Sequence, residues 1–232
     1  MKKRLLLIIL FISTSALPAF AGETPNVVYW DSTEGRALRA RIPADADYWQ
    51  LIPNFAVQQT QSYCAVASAI TVLNAMPIKK PVDPAYAPYA YFTQNNYFTP
   101  EVTKVISAHT VLSQGMTREQ MAETLTRHGV MAKSIAGDTF SDESLRALLQ
   151  KALGDDGQFV LANYFRGNLG QVGDGHWSAL AAYDAQTDSV LILDVAKYKY
   201  PPAWVGINTL RQAISTIDTT SNKARGLVIV SK

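Results

Sequence analysis

The hydrophobic and polar positions along the chain change their period about halfway. In the first half, apolar residues recur every three or four positions, most clearly over residues 64–76, and Pro77 ends that pattern. This spacing predicts a helix over residues 64–76. Capping residues predict three further helices: one that opens at Thr99-Pro100, one with a capping box at residues 117–120 that ends at Gly129, and one over residues 141–153 that ends at Gly154.

The second half carries short apolar runs rich in residues that favour strands. We predict strands over residues 159–165, 177–183 and 190–195, with a turn at residues 184–188 between the last two. The other predicted elements are strands over residues 26–30, 48–52, 130–135 and 226–230, an ordered loop over residues 80–97 and a helix over residues 207–217. Helices dominate the first half and strands the second, which predicts an α+β fold rather than a regular alternation of strand and helix.

Composition and charge narrow the class of protein. The chain has 232 residues, of which 48% are hydrophobic and 17% charged, so it has enough apolar surface to build a folded domain. With 21 basic and 19 acidic residues, the charge gives no reason to expect nucleic acid or an anionic membrane as a partner. A single cysteine excludes an intramolecular disulfide framework and a multi-thiolate zinc site.

The first twenty-one residues have the pattern of a secretory signal peptide. Lys2, Lys3 and Arg4 precede a short apolar run, and Ala19-Phe20-Ala21 is a small-residue cleavage site. The alternative is a membrane anchor, but the run is shorter than the roughly 20 residues that span a bilayer. We therefore expect residues 1–21 to be removed and residues 22–232 to be exported to the periplasm, with no membrane attachment after cleavage.

Cys64 is the first candidate for chemistry. A polar segment, residues 58–63, precedes it and the predicted helix follows it, so its thiol lies at a helix N-terminus. The unpaired N–H groups and the helix dipole at such a position favour the reactive thiolate. By position alone, a small buried hydrophobic residue is an equally good interpretation of this cysteine.

His176 and Asp194 are the candidate partners of this thiol. His176 begins one predicted strand and Asp194 ends the next, and a hairpin brings these two ends together. A turn centred at residues 186–187 puts Asp194 opposite Ala179, three residues from His176, so a bulge or a diagonal contact is required. The other two histidines are His109 and His128, and we expect both to lie at the surface in contact with solvent.

The order cysteine, histidine, aspartate is the layout of papain-like cysteine enzymes. In that layout His176 takes the proton of the thiol and later protonates the leaving amine, while Asp194 orients the imidazole. Gln58, six residues before Cys64, is a candidate oxyanion donor together with the backbone N–H of Cys64. The alternative for Gln58 is an ordinary surface glutamine, since two further glutamines lie beside it.

Four segments of the chain resemble the phytochelatin synthase family. Residues 58–68, QQTQSYCAVAS, are similar to its nucleophile segment. Gly175-His176-Trp177-Ser178 and the run LILDVAKYKYPPAWV at residues 191–205 are similar to its histidine and aspartate segments. Asp218 and Arg225-Gly226 resemble the end of its catalytic domain, so the resemblance covers residues 51–232.

This resemblance implies a papain-like fold, with a helical N-terminal lobe that carries the nucleophile and an antiparallel β C-terminal lobe. It implies that Cys64 attacks the cysteinyl carbonyl of glutathione, releases glycine and passes the γ-glutamylcysteinyl thioester to water or to a second glutathione. By the same resemblance, Asp218, Arg225 and Gly175 bind the substrate. An aspartate suits the γ-glutamyl ammonium and an arginine its α-carboxylate; the alternative for this pair is a surface ion pair.

The sequence also departs from the family. Ala65 follows the nucleophile where the family has glycine, and Lys197 stands where plant members have arginine. The cysteine-rich C-terminal extension of plant members is absent, which favours hydrolysis as the main reaction. We expect no tightly bound cofactor and no metal site on the protein, with a cadmium or zinc thiolate of glutathione as a substrate. The resemblance to bacterial relatives suggests a homodimer.

Two other functions stay open at this point. The first keeps the fold but makes the protein a general papain-like peptidase or amidase, which would cleave α-linked peptides. The second is a non-enzymatic periplasmic protein that binds thiols or metals through Cys64. Dispersed histidines and a single cysteine argue against the second.

Overall fold

A seven-stranded antiparallel sheet organises the part of the chain that the computed structural model describes, residues 27–154 and 157–232. The strands are β1 (Val27–Tyr29), β2 (Met131–Ala136), β3 (Gln158–Phe165), β4 (Gly175–Asp184), β5 (Ser189–Leu193), β6 (Ala203–Gly206), β7 (Ile217–Asp218), β8 (Lys223–Ala224) and β9 (Gly226–Ser231). In the large sheet they lie in the order β1-β6-β5-β4-β3-β9-β2, and β7 pairs with β8 in a separate small ladder.

Helices cover both faces of this sheet. They are α1 (Thr33–Arg39), α2 (Tyr48–Leu51), α3 (Cys64–Ala75), α4 (Pro100–Thr103), α5 (Ala108–Gln114), α6 (Arg118–Arg127), α7 (Asp142–Ala152) and α8 (Ile207–Ile214). Buried residues of α1 to α6 form one hydrophobic layer, and those of α7 and α8 form the other. Strand β3 alternates between them, since Leu161 belongs to the first layer and Val160 and Ala162 to the second.

Helix α3 positions the candidate nucleophile. All but one of its twelve residues are buried, because a run of alanines lets the helix approach the sheet closely. The hydroxyl of Ser68 donates to the backbone oxygen of Trp177 in β4 at 3.1 Å. The N-terminal half of α3 is thereby held against the beginning of β4.

Most of the predicted elements are confirmed. The helix predicted over residues 64–76 is α3, and the one predicted over residues 141–153 is α7. Thr117 caps α6 with the expected box, in which Gln120 accepts from the Thr117 backbone N–H at 2.9 Å. The fold is α+β, as the change of period predicts.

Three local predictions are wrong. Residues 48–52 do not form a strand: Tyr48–Leu51 is the helix α2, because Tyr48, Leu51 and Ile52 share one helical face and pack on the first layer. Helix α8 stops at Ile214 and Ile217 pairs in β7 instead. His128 does not lie in solvent, because its ring packs against Phe92 and Tyr97, and burial lowers its pKa to about 4.

The predicted signal peptide, residues 1–21, lies outside the described residues. From residue 27 onward, apart from residues 155 and 156, no helix combines the length and the apolar character that a membrane crossing needs. His109 is exposed, as expected.

Candidate active site

Cys64 is the first residue of α3, as its sequence context predicts. The residue before the helix, Tyr63, makes no side-chain cap, so the N–H groups of the first turn are not satisfied by a capping oxygen. The helix dipole and these N–H groups act on the thiol, which is 7% exposed. Cys64 thus belongs to the buried first layer and also lines a cleft.

His176 and Asp194 lie at the same end of the sheet. His176 is the second residue of β4, and Asp194 directly follows β5. The ladder between the two strands shifts by one residue between Leu180 and Ala182, so that Ala179 pairs with Leu193. This bulge places Asp194 beside Ser178, diagonal to His176, and the His176 Nε2 lies 2.9 Å from Asp194 Oδ1.

The imidazole of His176 also hydrogen-bonds the Cys64 thiol. Because Nε2 is engaged by Asp194, Nδ1 is the ring nitrogen that faces the sulfur. Burial alone raises the pKa of the Cys64 thiol, but His176 and backbone hydrogen bonds from Trp177 and Ala65 bring it below its ordinary value. Burial alone lowers the pKa of His176, but Cys64 and Asp194 raise it above its ordinary value. Together these shifts favour a thiolate–imidazolium pair.

Arg166 holds the carboxylate of Asp194 in place. Its Nη1 lies 2.8 Å from Asp194 Oδ2 and its Nη2 donates to Oδ1 at 3.0 Å. Asp194 Oδ1 also accepts from the backbone N–H of Ala196 at 2.9 Å. Burial by itself raises the pKa of this carboxyl, but His176 and Arg166 hold it well below its usual range. The carboxylate therefore stays ionised beside the imidazole.

Gln58 lies 4% exposed on the loop that leads to α3, so it is not the surface glutamine of the alternative interpretation. Its backbone N–H donates to the backbone oxygen of Val195 at 3.0 Å. Its side-chain Nε2 donates to the backbone oxygen of Thr60 at 2.8 Å and to the hydroxyl of Tyr198 at 2.9 Å. This residue thus joins the nucleophile loop to the segment that follows Asp194.

A cleft of about 380 Å³ opens above the thiol. Cys64 lines this cleft. Four further lining residues form a group that we name the arginine pocket: Asn163, Gly175, Asp218 and Arg225. Arg225 Nη1 donates to Asn163 Oδ1 at 2.9 Å, and its Nη2 lies 3.8 Å from Asp218 Oδ1. A Cβ atom on Gly175 would lie 2.0 Å from Arg225 Nη1, so only glycine leaves room for the guanidinium here.

Arg225 is a buried cation whose ion pair with Asp218 is long, at 3.8 Å. It is 7% exposed, and burial lowers its pKa despite the carboxylates of Asp218 and Asp174. Its Nε is buried and has no hydrogen-bond partner among residues 27–154 and 157–232. A carboxylate that entered the cleft would satisfy this guanidinium.

A second cavity, of about 350 Å³, adjoins the first. The two share Gln61, Asp174 and Gly175 in their linings. His176 and Gln58 line the second cavity together with Arg166, Tyr198 and Lys199. The thiol–imidazole pair therefore stands between two cavities, since Cys64 lines the first and His176 the second.

The structure gives no support for a metal site on the protein. Among the described residues, no group of three or more histidine, cysteine, aspartate or glutamate side chains is arranged to hold an ion.

Sequence reasoning did not identify three polar residues of this region: Asn163, Arg166 and Tyr198. Asn163 had a usable signal, because it is the one amide inside the buried apolar run of β3. Arg166 directly follows that strand and contacts an aspartate 28 residues away, which no local pattern reveals.

The site assembles a cysteine, a histidine and an aspartate on an α+β scaffold, which defines a protein equipped for cysteine-based acyl transfer. A family model described as phytochelatin synthase matches residues 23–227, so the chain belongs to the phytochelatin synthase family. This confirms the resemblance seen in the sequence motifs.

Curated relatives agree with this assignment. The chain is 30% identical to glutathione gamma-glutamylcysteinyltransferase 1 of Triticum aestivum over 212 residues, covering 90% of this chain and 41% of the relative. It is 29% identical to glutathione gamma-glutamylcysteinyltransferase 1 of Arabidopsis thaliana, covering 90% and 42%. It is 23% identical to the enzyme of that name from Schizosaccharomyces pombe, covering 87% and 48%. The chain thus spans less than half the length of each of these relatives.

Proposed function

We propose that this protein is a glutathione gamma-glutamylcysteinyltransferase-type enzyme, with hydrolysis of glutathione as its main reaction. Its substrate is γ-Glu-Cys-Gly, its first product is glycine, and its intermediate is a γ-glutamylcysteinyl thioester on Cys64. Membership of the family and the names of the relatives support this proposal.

In the acylation step, the Cys64 thiolate attacks the cysteinyl carbonyl carbon of glutathione. The carbonyl oxygen becomes an oxyanion, for which the backbone N–H of Cys64 and the amide of Gln58 are the donors. The imidazolium of His176 gives its proton to the leaving nitrogen, the carbon–nitrogen bond breaks, and glycine departs. Asp194, held by Arg166, keeps the imidazole oriented through this proton transfer.

In the deacylation step, His176 takes a proton from the attacking nucleophile. When the nucleophile is water, the products are γ-glutamylcysteine and the free thiol. When it is the amine of a second glutathione, the product is a longer γ-glutamylcysteine chain. In the proposed reaction, a cadmium or zinc thiolate of glutathione serves here as a substrate.

The arginine pocket is the observation that favours glutathione over an α-linked peptide. A γ-glutamyl group carries an ammonium and an α-carboxylate on the same carbon, and neither is present in the middle of an ordinary peptide. Arg225 is a buried cation with a free Nε, and Asp218 lies 3.8 Å from it. Such a pair suits that zwitterion, with Arg225 on the carboxylate and Asp218 on the ammonium.

We further propose that the fold is papain-like. A nucleophile at the start of a helix that packs against an antiparallel sheet, with its histidine and aspartate on neighbouring strands, supports this. The use of Nδ1 toward the thiol and Nε2 toward the carboxylate is consistent with it.

Intact-mass measurement after brief contact with glutathione tests the proposed function. With a phosphine reductant present, which removes mixed disulfides, we expect a γ-glutamylcysteinyl adduct on Cys64 and glycine in solution. Cys64→Ser serves as the control, and we expect it to form no thioester. An adduct that contains whole glutathione and disappears with reductant would instead indicate a thiol-binding protein.

The α-linked tripeptide Glu-Cys-Gly provides the matched substrate control. It has the same atoms as glutathione but lacks the γ-glutamyl zwitterion in the required position. Equal rates of glycine release from the two tripeptides would indicate a general peptidase and contradict the assignment of the arginine pocket.

We also propose export to the periplasm after cleavage behind Ala21, and association as a homodimer. The basic, apolar and small-residue order of residues 1–21 supports the first. The mass of the protein recovered from the periplasmic fraction tests the cleavage, and its mass in solution tests the dimer. A full-length protein in the cytoplasm, or a monomer at micromolar concentration, would contradict them.

A further inference from the structure

The side-chain amide of Gln58 has both of its hydrogens engaged. An amide nitrogen carries two donors, and here one goes to the Thr60 backbone oxygen and the other to the Tyr198 hydroxyl. The reverse orientation of the amide would place its oxygen against the Thr60 carbonyl, which also accepts only. The observed orientation is therefore the one that the surroundings require, and it leaves no hydrogen for an oxyanion.

The loop that carries Gln58 is fixed by its backbone. Besides the bond from Gln58 to Val195, the Gln94 side chain accepts from the Gln59 backbone N–H at 2.9 Å and donates to the Val57 oxygen at 2.8 Å. Three hydrogen bonds hold this short segment, so Gln58 is the more firmly held partner of the contact. Tyr198 is the partner that moves more easily.

Tyr198 is the loosely held residue of its own segment. On one side, the Lys197 ammonium donates to the Phe55 oxygen at 3.1 Å and lies 3.7 Å from the centre of the Phe55 ring. On the other, Lys199 donates to the Val172 oxygen at 2.7 Å. Tyr198 itself is 60% exposed, and its hydroxyl contact with Gln58 is the side-chain hydrogen bond that the structure records for it. A rotation of its side chain alone would free the amide.

We propose that Tyr198 is a latch on the oxyanion hole, which it closes in the free enzyme and opens when substrate arrives. This inference rests on the proposed function, because it takes Gln58 as an oxyanion donor. In the free enzyme, the Tyr198 oxygen accepts the Gln58 amide hydrogen that the oxyanion of a tetrahedral intermediate needs. A negatively charged oxygen binds that hydrogen more strongly than a neutral phenol does, so it displaces Tyr198 into solvent.

The latch lowers the acylation rate by a factor that corresponds to the free energy of one partly exposed hydrogen bond. Such a bond contributes enough to change an equilibrium about two- to tenfold. Its loss should therefore raise the rate, whereas the loss of a true oxyanion donor lowers it by about a hundredfold or more. The direction of the effect separates the two roles.

The test is the single-turnover rate of Cys64 acylation by glutathione in Tyr198→Phe, which removes the hydroxyl and keeps the ring. We expect this rate to rise about two- to tenfold. Tyr89→Phe is the matched control, because it removes a hydroxyl from an exposed tyrosine outside both cavities, and its rate should equal that of the wild type.

A double variant shows whether Tyr198 acts through Gln58. In a Gln58→Ala background there is no amide to release, so Tyr198→Phe should leave the slow acylation rate unchanged. A gain of the same size in both backgrounds would mean that the hydroxyl merely obstructs the cavity, and would overturn the latch.

Two further outcomes overturn the inference. An unchanged rate in Tyr198→Phe would show that the contact has no kinetic role, and a fall would show that the hydroxyl is itself a donor or orients Gln58. Failure of the proposed function is distinguishable from both, because the wild-type enzyme would then form no thioester at all. The side-chain amide signal of Gln58 in NMR, which should shift in Tyr198→Phe but not in Tyr89→Phe, reports on the contact without any substrate.

Discussion

The catalytic groups at one end of the site and the arginine pocket at the other differ in how completely their charges are paired. At one end, Asp194 accepts from His176, Arg166 and the Ala196 backbone, so the carboxylate is held from three directions. At the other, Arg225 has a buried Nε without a partner and lies 3.8 Å from Asp218. Under the proposed function, we expect the catalytic groups to be organised before substrate arrives and the substrate to complete the arginine pocket.

The largest effect should come from Asp194→Asn, at the complete end. The amide cannot stabilise the imidazolium and favours the wrong tautomer of His176, so we expect kcat to fall about 10³- to 10⁴-fold. The KM for glutathione should change little, because Asp194 does not line the main cleft. Steady-state kinetics measure this split, and a large rise in KM would show that the two ends are not separate.

Arg166→Met should affect stability most, because it leaves the buried Asp194 charge without its cation. Removal of one partner of a buried ion pair typically costs about 3–5 kcal/mol in the free energy of unfolding. The matched control is Arg146→Met, which removes an equally bidentate contact to Asp188 at the surface and should cost about 1 kcal/mol or less. Urea denaturation measures both, and equal losses would mean that Asp194 is not dependent on Arg166.

At the incomplete end, Arg225→Gln should raise the KM for glutathione about 10- to 100-fold with a smaller change in kcat, because it removes charge-assisted hydrogen bonds to the substrate. Gly175→Ala should have a similar effect, since its Cβ would displace the same guanidinium. Lys223→Gln, at an exposed neighbouring lysine, is the control. An unchanged KM in Arg225→Gln would remove this residue from the substrate pocket.

The pH profile should give the smallest and most specific difference. The active form requires the Cys64 thiolate, whose pKa lies below 9.0, and the His176 imidazolium, whose pKa lies above 6.5. Activity therefore falls on the acid side as the thiol gains its proton and on the alkaline side as the imidazole loses its own. Asp194→Asn removes a charge that raises the His176 pKa, so the alkaline limb of kcat/KM should move down by about 1–3 units. Arg225→Gln should leave that limb where it is.

Local patterns in the sequence predict the elements better than the contacts between them. Helix α3 and the position of Cys64 at its start follow from apolar spacing and from the polar segment before it. The pattern of residues 48–52 is ambiguous, because Tyr48, Leu51 and Ile52 fit a short strand and a short helix equally well, and packing decides between them. The family resemblance supplied Asp218 and Arg225, whose spacing alone indicates little.

Contacts between distant segments lie beyond such patterns. The pairing of Arg166 with Asp194 depends on where β3 ends relative to β5, and the contact of Tyr198 with Gln58 joins residues 140 positions apart. The hairpin geometry correctly requires a bulge between β4 and β5, but no residue type along β4 indicates where it lies. The catalytic assignments of Cys64, His176, Asp194 and Gln58 stay predictions until the variants are measured.

The bulge near Ala181 determines on which face of the hairpin the Asp194 side chain lies. Paired residues in neighbouring strands project to the same side, and side chains alternate sides along each strand. If Ala181 took a regular place in the ladder, Asp194 would lie opposite Ala179 and point to the side opposite His176. Deletion of Ala181 removes the bulge but keeps the pairs of Ala182 with Leu191, Leu180 with Ile192 and Ala179 with Leu193. The carboxylate should therefore stay on the side of the ring, so this hairpin should tolerate the loss of one residue at the bulge.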